Sequence, residues 1–493
     1  MKKNLLFLLF FSPYAALASG KFVLSPEIIR SYESVFSLQI NAGVEHLKKD
    51  AEKHEGNPFH YLIDNYIDLI KCLIEDDPAY YRQAVNRRGQ RIENLKLAEK
   101  NSPFYYYCLA EVHLQWAMIR LKNGELVLAG NDLRKTAAYL GENQLKYPDF
   151  ILNNKIAGVL HSLAGAVPPS YVWLARLAGI DGTHALGISE LARLETWLTN
   201  QPQFSFLGPE VLFLKSFISI NFQGGDVKPP AANEFGMDNS NQPLLIFLSI
   251  IQSQKAHNSA MVLALLDRLS QLKKDVAFCY LDYLKGEASL NLYYSESDEF
   301  QSFLNCTKGQ TYRKAALRKK AWSVLLKGDE KHYKTIVALI PYTGNLLADD
   351  DKQADLEARS GIVPDILLLK ARLSFDAGEY EKSFKVLHSY PVANKSINRQ
   401  TEFYYRLGRN FQCTGDEESA LENYNKAIKT GRQLNDYFAA SAAFYSGDIY
   451  QRQNRKDKAV EYYKMVYGFK MHPYKNSLDA KARAALKNLG VNS

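Results

Sequence analysis

Along the whole chain the apolar positions read as helix after helix. No stretch sustains the alternation of apolar and polar residues that would argue for a sheet. Ser25-Pro26-Glu27 has the order of a helix start: a capping hydroxyl, proline at the first position, and an acid in the first turn. Asn101-Ser102-Pro103 repeats that order ahead of residues 104–121. Gly124, Gly378 and Gly415 fall where short turns would join paired helices.

Two segments near the C-terminus then align. With Ala420 set over Ala459, Gly408 lies over Gly447, Phe411 over Tyr450, Tyr424 over Tyr463 and Ala427 over Val466, an offset of 39 residues. A period of this length predicts helical hairpins that stack, because one hairpin cannot bury its apolar face alone. Small residues mark the close contacts, and aromatics fill the spaces between hairpins.

The pattern resembles the tetratricopeptide repeat, whose unit carries an aromatic, Leu-Gly, Tyr, Ala, an aromatic and Ala in order. Those positions are Tyr404, Leu407, Gly408, Phe411, Ala420, Tyr424 and Ala427, with Gly415-Asp416 at the inner turn. The second copy keeps Gly447, Tyr450, Ala459 and Tyr463 but has Ala443, Ser446 and Val466 elsewhere. A weaker copy precedes them with Ala371, Phe375, Gly378-Glu379, Ser383 and Leu387, although Lys370 stands where Leu is expected. The resemblance implies an all-α fold, a right-handed α-solenoid of antiparallel helix hairpins. It does not name a partner, since such repeats serve many.

The chain has 493 residues, too many for one ordinary core. Hydrophobic residues at 46% and charged residues at 23% suit a folded globular protein. The pattern predicts an N-terminal helical array over 19–165 and a degenerate repeat region over 166–345. A Gly-, Pro- and Asn-rich loop spans 224–243, a polar connector 346–363, and clear repeats 364–493. Residues 167–191, with a proline pair and a Gly-rich turn, read as one more hairpin.

The N-terminus has the order of an export signal. Lys2 and Lys3 precede an apolar run over 5–11, and Ala16-Leu17-Ala18 has the form of a cleavage site. Cleavage after Ala18 would leave Ser19 first, predicting a periplasmic or secreted protein. No later stretch reaches the length that would span a bilayer, so the mature chain is expected to lack a transmembrane segment. The five cysteines form no framework and no CxxC metal site. A single bridge, Cys72–Cys108 or Cys279–Cys306, would suit an oxidising compartment, and buried free thiols are the other reading.

The formal charge is +8. Arg313, Lys314, Arg318, Lys319 and Lys320 would make a basic helix face, either solvated or facing an anionic partner. Export argues against nucleic acid.

Catalytic patterns fail on inspection. The Gly182–Gly187 spacing of a phosphate loop is followed by Ile188-Ser189 and lacks its lysine. Asp349, Asp351 and Gln353 echo a calcium loop, but Ala354 replaces the glycine and Ser360 the closing acid. His46, His54 and His60 read as surface helix positions, and neither HExxH nor GxSxG occurs. Trp116 reads as core. No cofactor and no enzymatic activity are expected.

What remains is an interaction scaffold. The first helix of each hairpin would line a concave groove, presenting Tyr405, Arg409 and Gln412, then Phe444, Asp448 and Arg452, to a peptide or protein segment. An exported glycan- or small-ligand-binding protein is the alternative, with aromatic platforms and amides as the binding groups. As exposed positions, Arg409 and Tyr405 are expected to tolerate alanine. Ala420 and Ala459 are expected not to tolerate bulk.

Overall fold

The structure is a computed structural model, and it describes residues 20–166, 181–222, 241–293, 298–469 and 471–491. The expected signal segment and most of the 224–243 loop lie outside the described residues, as does the first part of the 167–191 hairpin. Among the described residues there are 23 α-helices and no strand. No helix among them is long and apolar enough to cross a membrane.

The helices follow one another as hairpins. The first four are α1 (Pro26–Phe36) with α2 (Ile40–Ala51), α3 (Phe59–Ile74) with α4 (Pro78–Lys96), α5 (Pro103–Lys122) with α6 (Leu126–Lys146), and α7 (Asn153–Ala166) with α8 (His184–Leu198). Helix α9 (Gly208–Phe222) leads to α10 (Pro243–Lys255) with α11 (Ser259–Ser270), α12 (Tyr280–Asn291) with α13 (Glu299–Cys306), and α14 (Arg313–Leu326) with α15 (Glu330–Val337). Helix α16 (Asp349–Ser360) precedes three C-terminal hairpins: α17 (Ile366–Ala377) with α18 (Tyr380–His388), α19 (Ile397–Thr414) with α20 (Glu417–Gly431), and α21 (Phe438–Arg452) with α22 (Lys456–Val466). Helix α23 (Lys475–Asn488) covers the last of them. The molecule is all-α, a stack of helix hairpins forming an α-solenoid.

Local chemistry sets the boundaries. Ser25 Oγ accepts from the Ile28 amide at 3.2 Å, and Ser102 Oγ accepts from the Phe104 amide at 3.2 Å. Gly415 ends α19 at φ +90°, a conformation that costs other residues Cβ strain. Asp416 then caps α20, accepting from the Ser419 amide at 3.0 Å.

Three sequence readings change. The basic stretch is neither a solvated face nor free for a partner, because Lys314, Arg318 and Lys319 are buried. Lys314 Nζ donates to Asp355 Oδ1 at 2.9 Å and to the Ile340 carbonyl at 2.8 Å, while Lys319 pairs with Glu287. Arg318 lies over the Trp322 ring, 4.8 Å from its centroid. The polar connector is itself helix α16, and it supplies the carboxylates that face Lys314 and Arg318: Asp355, Asp350 and Glu357. Its Asp351 accepts from the Tyr312 and Ala315 amides at 2.6 and 3.0 Å, capping the start of α14 from another helix. The residue that echoed a calcium ligand is therefore a helix cap.

His54 and His60 are half-buried around Asp50, at 2.9 and 2.7 Å from its carboxylate. Burial raises the Asp50 pKa, but hydrogen bonds from Ser25, Asn57, His60 and His54 hold it below the ordinary value. Trp116 is core, as its apolar neighbours predict, and its Nε1 donates to Asn65 Oδ1 at 2.8 Å. Cys279 and Cys306 are bonded, with Cα atoms 5.7 Å apart, while Cys72 and Cys108 are free and buried. Burial pushes the Cys72 thiol up to about 12.

Candidate functional site

The repeat pattern becomes geometry in α19–α22. Ala420 and Ala459 are fully buried where paired helices meet. A Cβ added at Gly408 would stand 2.6 Å from the Tyr424 ring, and one at Gly447 would stand 2.7 Å from the Tyr463 ring. Each glycine thus leaves room for the tyrosine of the following helix. The tyrosine then reaches back across the hairpin. Tyr424 donates to Gln412 Oε1 at 2.5 Å, and Tyr463 donates to Gln451 Oε1 at 2.8 Å. The weaker copy has Ser383 at the small-residue position, and its Oγ donates to the Ala371 carbonyl at 2.8 Å.

The six groove candidates separate into two groups. Tyr405 is half-buried in an aromatic stack, its centroid 5.4 Å from Phe438 and 5.9 Å from Tyr437. Phe444 packs 5.6 Å from Tyr463, and Asp448 is half-buried. Burial raises the Tyr463 phenol pKa, the charge of Asp448 adds to that effect, and Arg452 opposes it. Arg409, Gln412 and Arg452 instead line one cleft of about 570 Å³. Exposure differs sharply within this second group. Arg409 is 6% exposed and Gln412 is 5% exposed, so neither is the open groove position the sequence suggested. Arg452 is exposed and sits 3.3 Å from Glu417.

Long-range packing makes the cleft. The turn between α17 and α18 abuts the turn between α10 and α11. A Cβ at Gly378, whose φ is +85°, would lie 2.2 Å from the His257 carbonyl oxygen. The His257 ring meets Phe375 edge-on at 4.9 Å. This contact brings Lys255 to the cleft wall opposite the repeats. Its Nζ donates to the Ile220 carbonyl and to Asn221 Oδ1, both at 2.9 Å. Burial, reinforced by the nearby Lys481 charge, lowers the Lys255 pKa.

Arg409 is held by neutral groups. Its guanidinium stacks 3.9 Å from the Tyr445 centroid and 5.3 Å from Phe375. Nη1 donates to Gln412 Oε1 at 2.9 Å. With two donors on Oε1 the orientation of the Gln412 amide is settled. Its Nε2 is buried and has no hydrogen-bond partner among the described residues. Sequence inspection missed Lys255, which carries no local signal. At the 39-residue offset the residue that corresponds to Gln412 is Gln451, which was not among the groove candidates.

Residues 401–430 and 440–467 match the family described as Tetratricopeptide repeat. These segments are tetratricopeptide repeats. No curated protein matches the chain. Among solved structures, a chain in the crystal structure of the APC/C hetero-tetramer Cut9-Hcn1 is similar over 94% of this chain and 96% of its own, at 10% identity and a TM-score of 0.23. The hairpins themselves and the family match carry the fold. Within the tetratricopeptide repeats, the small positions Gly408, Ala420, Gly447 and Ala459 and the aromatics Tyr424 and Tyr463 are structural. Among the described residues no group of three or more His, Cys, Asp or Glu side chains is placed to hold a metal ion.

Proposed function

We propose that the protein is a non-enzymatic interaction scaffold, exported to the periplasm or beyond the cell, that holds a segment of a partner protein along the first helices of its repeats. The observation that carries this reading is the pair of tetratricopeptide repeats at 401–430 and 440–467 beside a cleft lined by Arg409, Gln412 and Arg452. The repeats suggest a protein partner. The cleft presents the Arg409 guanidinium, held by neutral groups, and a Gln412 Nε2 that has no hydrogen-bond partner among the described residues.

Two features support export. The basic, apolar and small-residue order of residues 1–18 has the form of a cleaved signal, and the Cys279–Cys306 bond suits an oxidising compartment.

Site-specific crosslinking tests the scaffold reading. A photoreactive residue replaces Phe444 or Arg452 in turn, with exposed Lys429 of α20 as control. The expected result is one protein adduct from the first-helix positions and none from the control. Adducts only to glycan would favour the alternative ligand class, and equal labelling from Lys429 would overturn the groove. N-terminal sequencing of the native protein should begin at Ser19, and a retained Met1 would overturn export.

A further inference from the structure

We infer that the cleft between the α10–α11 turn and the tetratricopeptide repeats binds a carboxylate from an acidic segment of the partner protein. This rests on the scaffold reading and adds the chemistry of its ligand.

The argument begins with Arg409. Among the described residues no carboxylate lies within ion-pair distance of it, although it is 6% exposed. An arginine removed from water without a counter-ion is costly, and proteins rarely keep one so. Stacking on Tyr445 and a hydrogen bond to Gln412 offset part of that cost and leave the charge unbalanced. Lys255 on the opposite wall is exposed and adds positive charge to the cleft, its own partners being a carbonyl and an amide oxygen.

Helix C-termini account for some of the basic residues. Lys255 and Arg452 stand in the last turns of α10 and α21, where cations complement the free carbonyls. Arg409 lies more than a turn before the end of α19, so that explanation does not reach it.

Gln412 adds direction to the charge. Its Oε1 is saturated by Arg409 and Tyr424, and the remaining Nε2 is a buried donor without an acceptor among the described residues. A buried arginine with no carboxylate among the described residues, the unused donor of Gln412 and the exposed Lys255 ammonium around one cleft call for an anion with acceptor oxygens. The cleft holds about 570 Å³, far more than a lone carboxylate fills, and Leu292, Ala260 and Ala377 add apolar wall. That space suits the residues flanking an aspartate or glutamate. Glu379 lines the same cleft but is engaged by Lys382 at 2.9 Å.

The test uses the full chain and two fluorescein-labelled peptides, hexaglutamate and hexaglutamine, followed by anisotropy at low salt. Hexaglutamate should bind at least about tenfold more tightly than hexaglutamine, and the difference should fall as salt rises. Gln412→Glu keeps an oxygen acceptor for Arg409 and Tyr424 but replaces the free donor with a resident carboxylate. It should weaken hexaglutamate by about tenfold or more while the circular dichroism spectrum stays that of the parent. If that variant does not fold, Lys255→Gln decides, with a loss of about threefold or more expected.

Equal binding of both peptides, or indifference to these substitutions, overturns the proposal. Glutarate or inorganic phosphate binding as tightly as hexaglutamate would show a free-anion site and overturn the peptide assignment. The two readings fail separately. If the Arg452-position crosslink to a protein persists in Gln412→Glu, the scaffold stands and the carboxylate site falls. If hexaglutamate binds as expected but no protein crosslinks, the scaffold reading falls.

Discussion

Tyr424 donates its phenolic hydrogen to Gln412 across the α19–α20 hairpin, at 2.5 Å. The same bond recurs 39 residues later between Tyr463 and Gln451. Both tyrosines are fully buried, and both rings lie against a glycine. The ring therefore does two jobs at once: it fills the space a side chain at Gly408 would occupy, and its hydroxyl orients the amide that faces the cleft.

Gly408→Ala should destabilise the repeat by about 1–3 kcal/mol, because the Tyr424 ring cannot retreat within a packed core. Gly447→Ala should do the same against Tyr463, and Ala420→Leu should lower the melting temperature through the same crowding. Gly89 in α4 is the control, with open space around its added Cβ. There alanine should stabilise by about 0.5–1 kcal/mol through helix propensity. Chemical denaturation of the variants checks both signs. A neutral Gly408→Ala would mean that the ring is not fixed where it lies.

Arg409→Ala should destabilise by more than about 1 kcal/mol, contrary to its reading as an exposed groove residue. The substitution removes a stem and a guanidinium packed on Tyr445 and Phe375. Arg452→Ala, at an exposed position, should stay within about 0.5 kcal/mol. Parallel melting curves of the two variants decide. If Arg409→Ala melts like Arg452→Ala, the stacked arrangement carries no stability.

The repeat register was legible because its marks are local. Gly408, Ala420 and Tyr424 recur at fixed spacing, and the physical reason for each is contact within one hairpin or with its neighbour. The cleft was not legible, because Lys255 meets the repeats through the contact of the His257 turn with Gly378, which no spacing encodes. The basic run was misread for a related reason. Helical projection places Lys314, Arg318 and Lys319 on a face but cannot show that α16 lies against it with Asp355. The cysteines illustrate the middle case, since sequence left two pairings open and packing brought only Cys279 and Cys306 together.

Asp355→Ala should be severe, costing about 3–5 kcal/mol, because it leaves the buried Lys314 ammonium without its carboxylate. Lys314 is 4% exposed, and its other partners are the Ile340 and Pro341 carbonyls. Replacing both partners with apolar residues, Lys314→Met with Asp355→Leu, should recover most of that loss. Denaturation of the single and double variants measures the coupling. A double variant as unstable as Asp355→Ala would show that the charges are not what the single change exposes.

Asp436 gives the molecule a local pH dependence whose direction follows from its surroundings. Burial raises its pKa from 3.8 to about 6; the Phe438 amide opposes that effect, the Glu402 charge adds to it, and a hydrogen bond with Asn398 opposes it again. Oδ1 accepts from the Phe438 amide at 3.2 Å, and Oδ2 is buried without a partner among the described residues. A folded pKa above the unfolded one means that the folded state binds the proton more tightly. The stabilisation is then fully present below pH 3.8 and is lost as pH rises through about 6. Its size is on the order of 1–3 kcal/mol. Asp436→Asn keeps the Oδ1 acceptor and removes the titration. Hydrogen exchange of the Phe438–Arg452 amides should therefore slow in the variant relative to the parent at pH 7.5, with the gap closing towards pH 4.5. A gap that stays constant across that range would show that Asp436 is not desolvated where α21 begins.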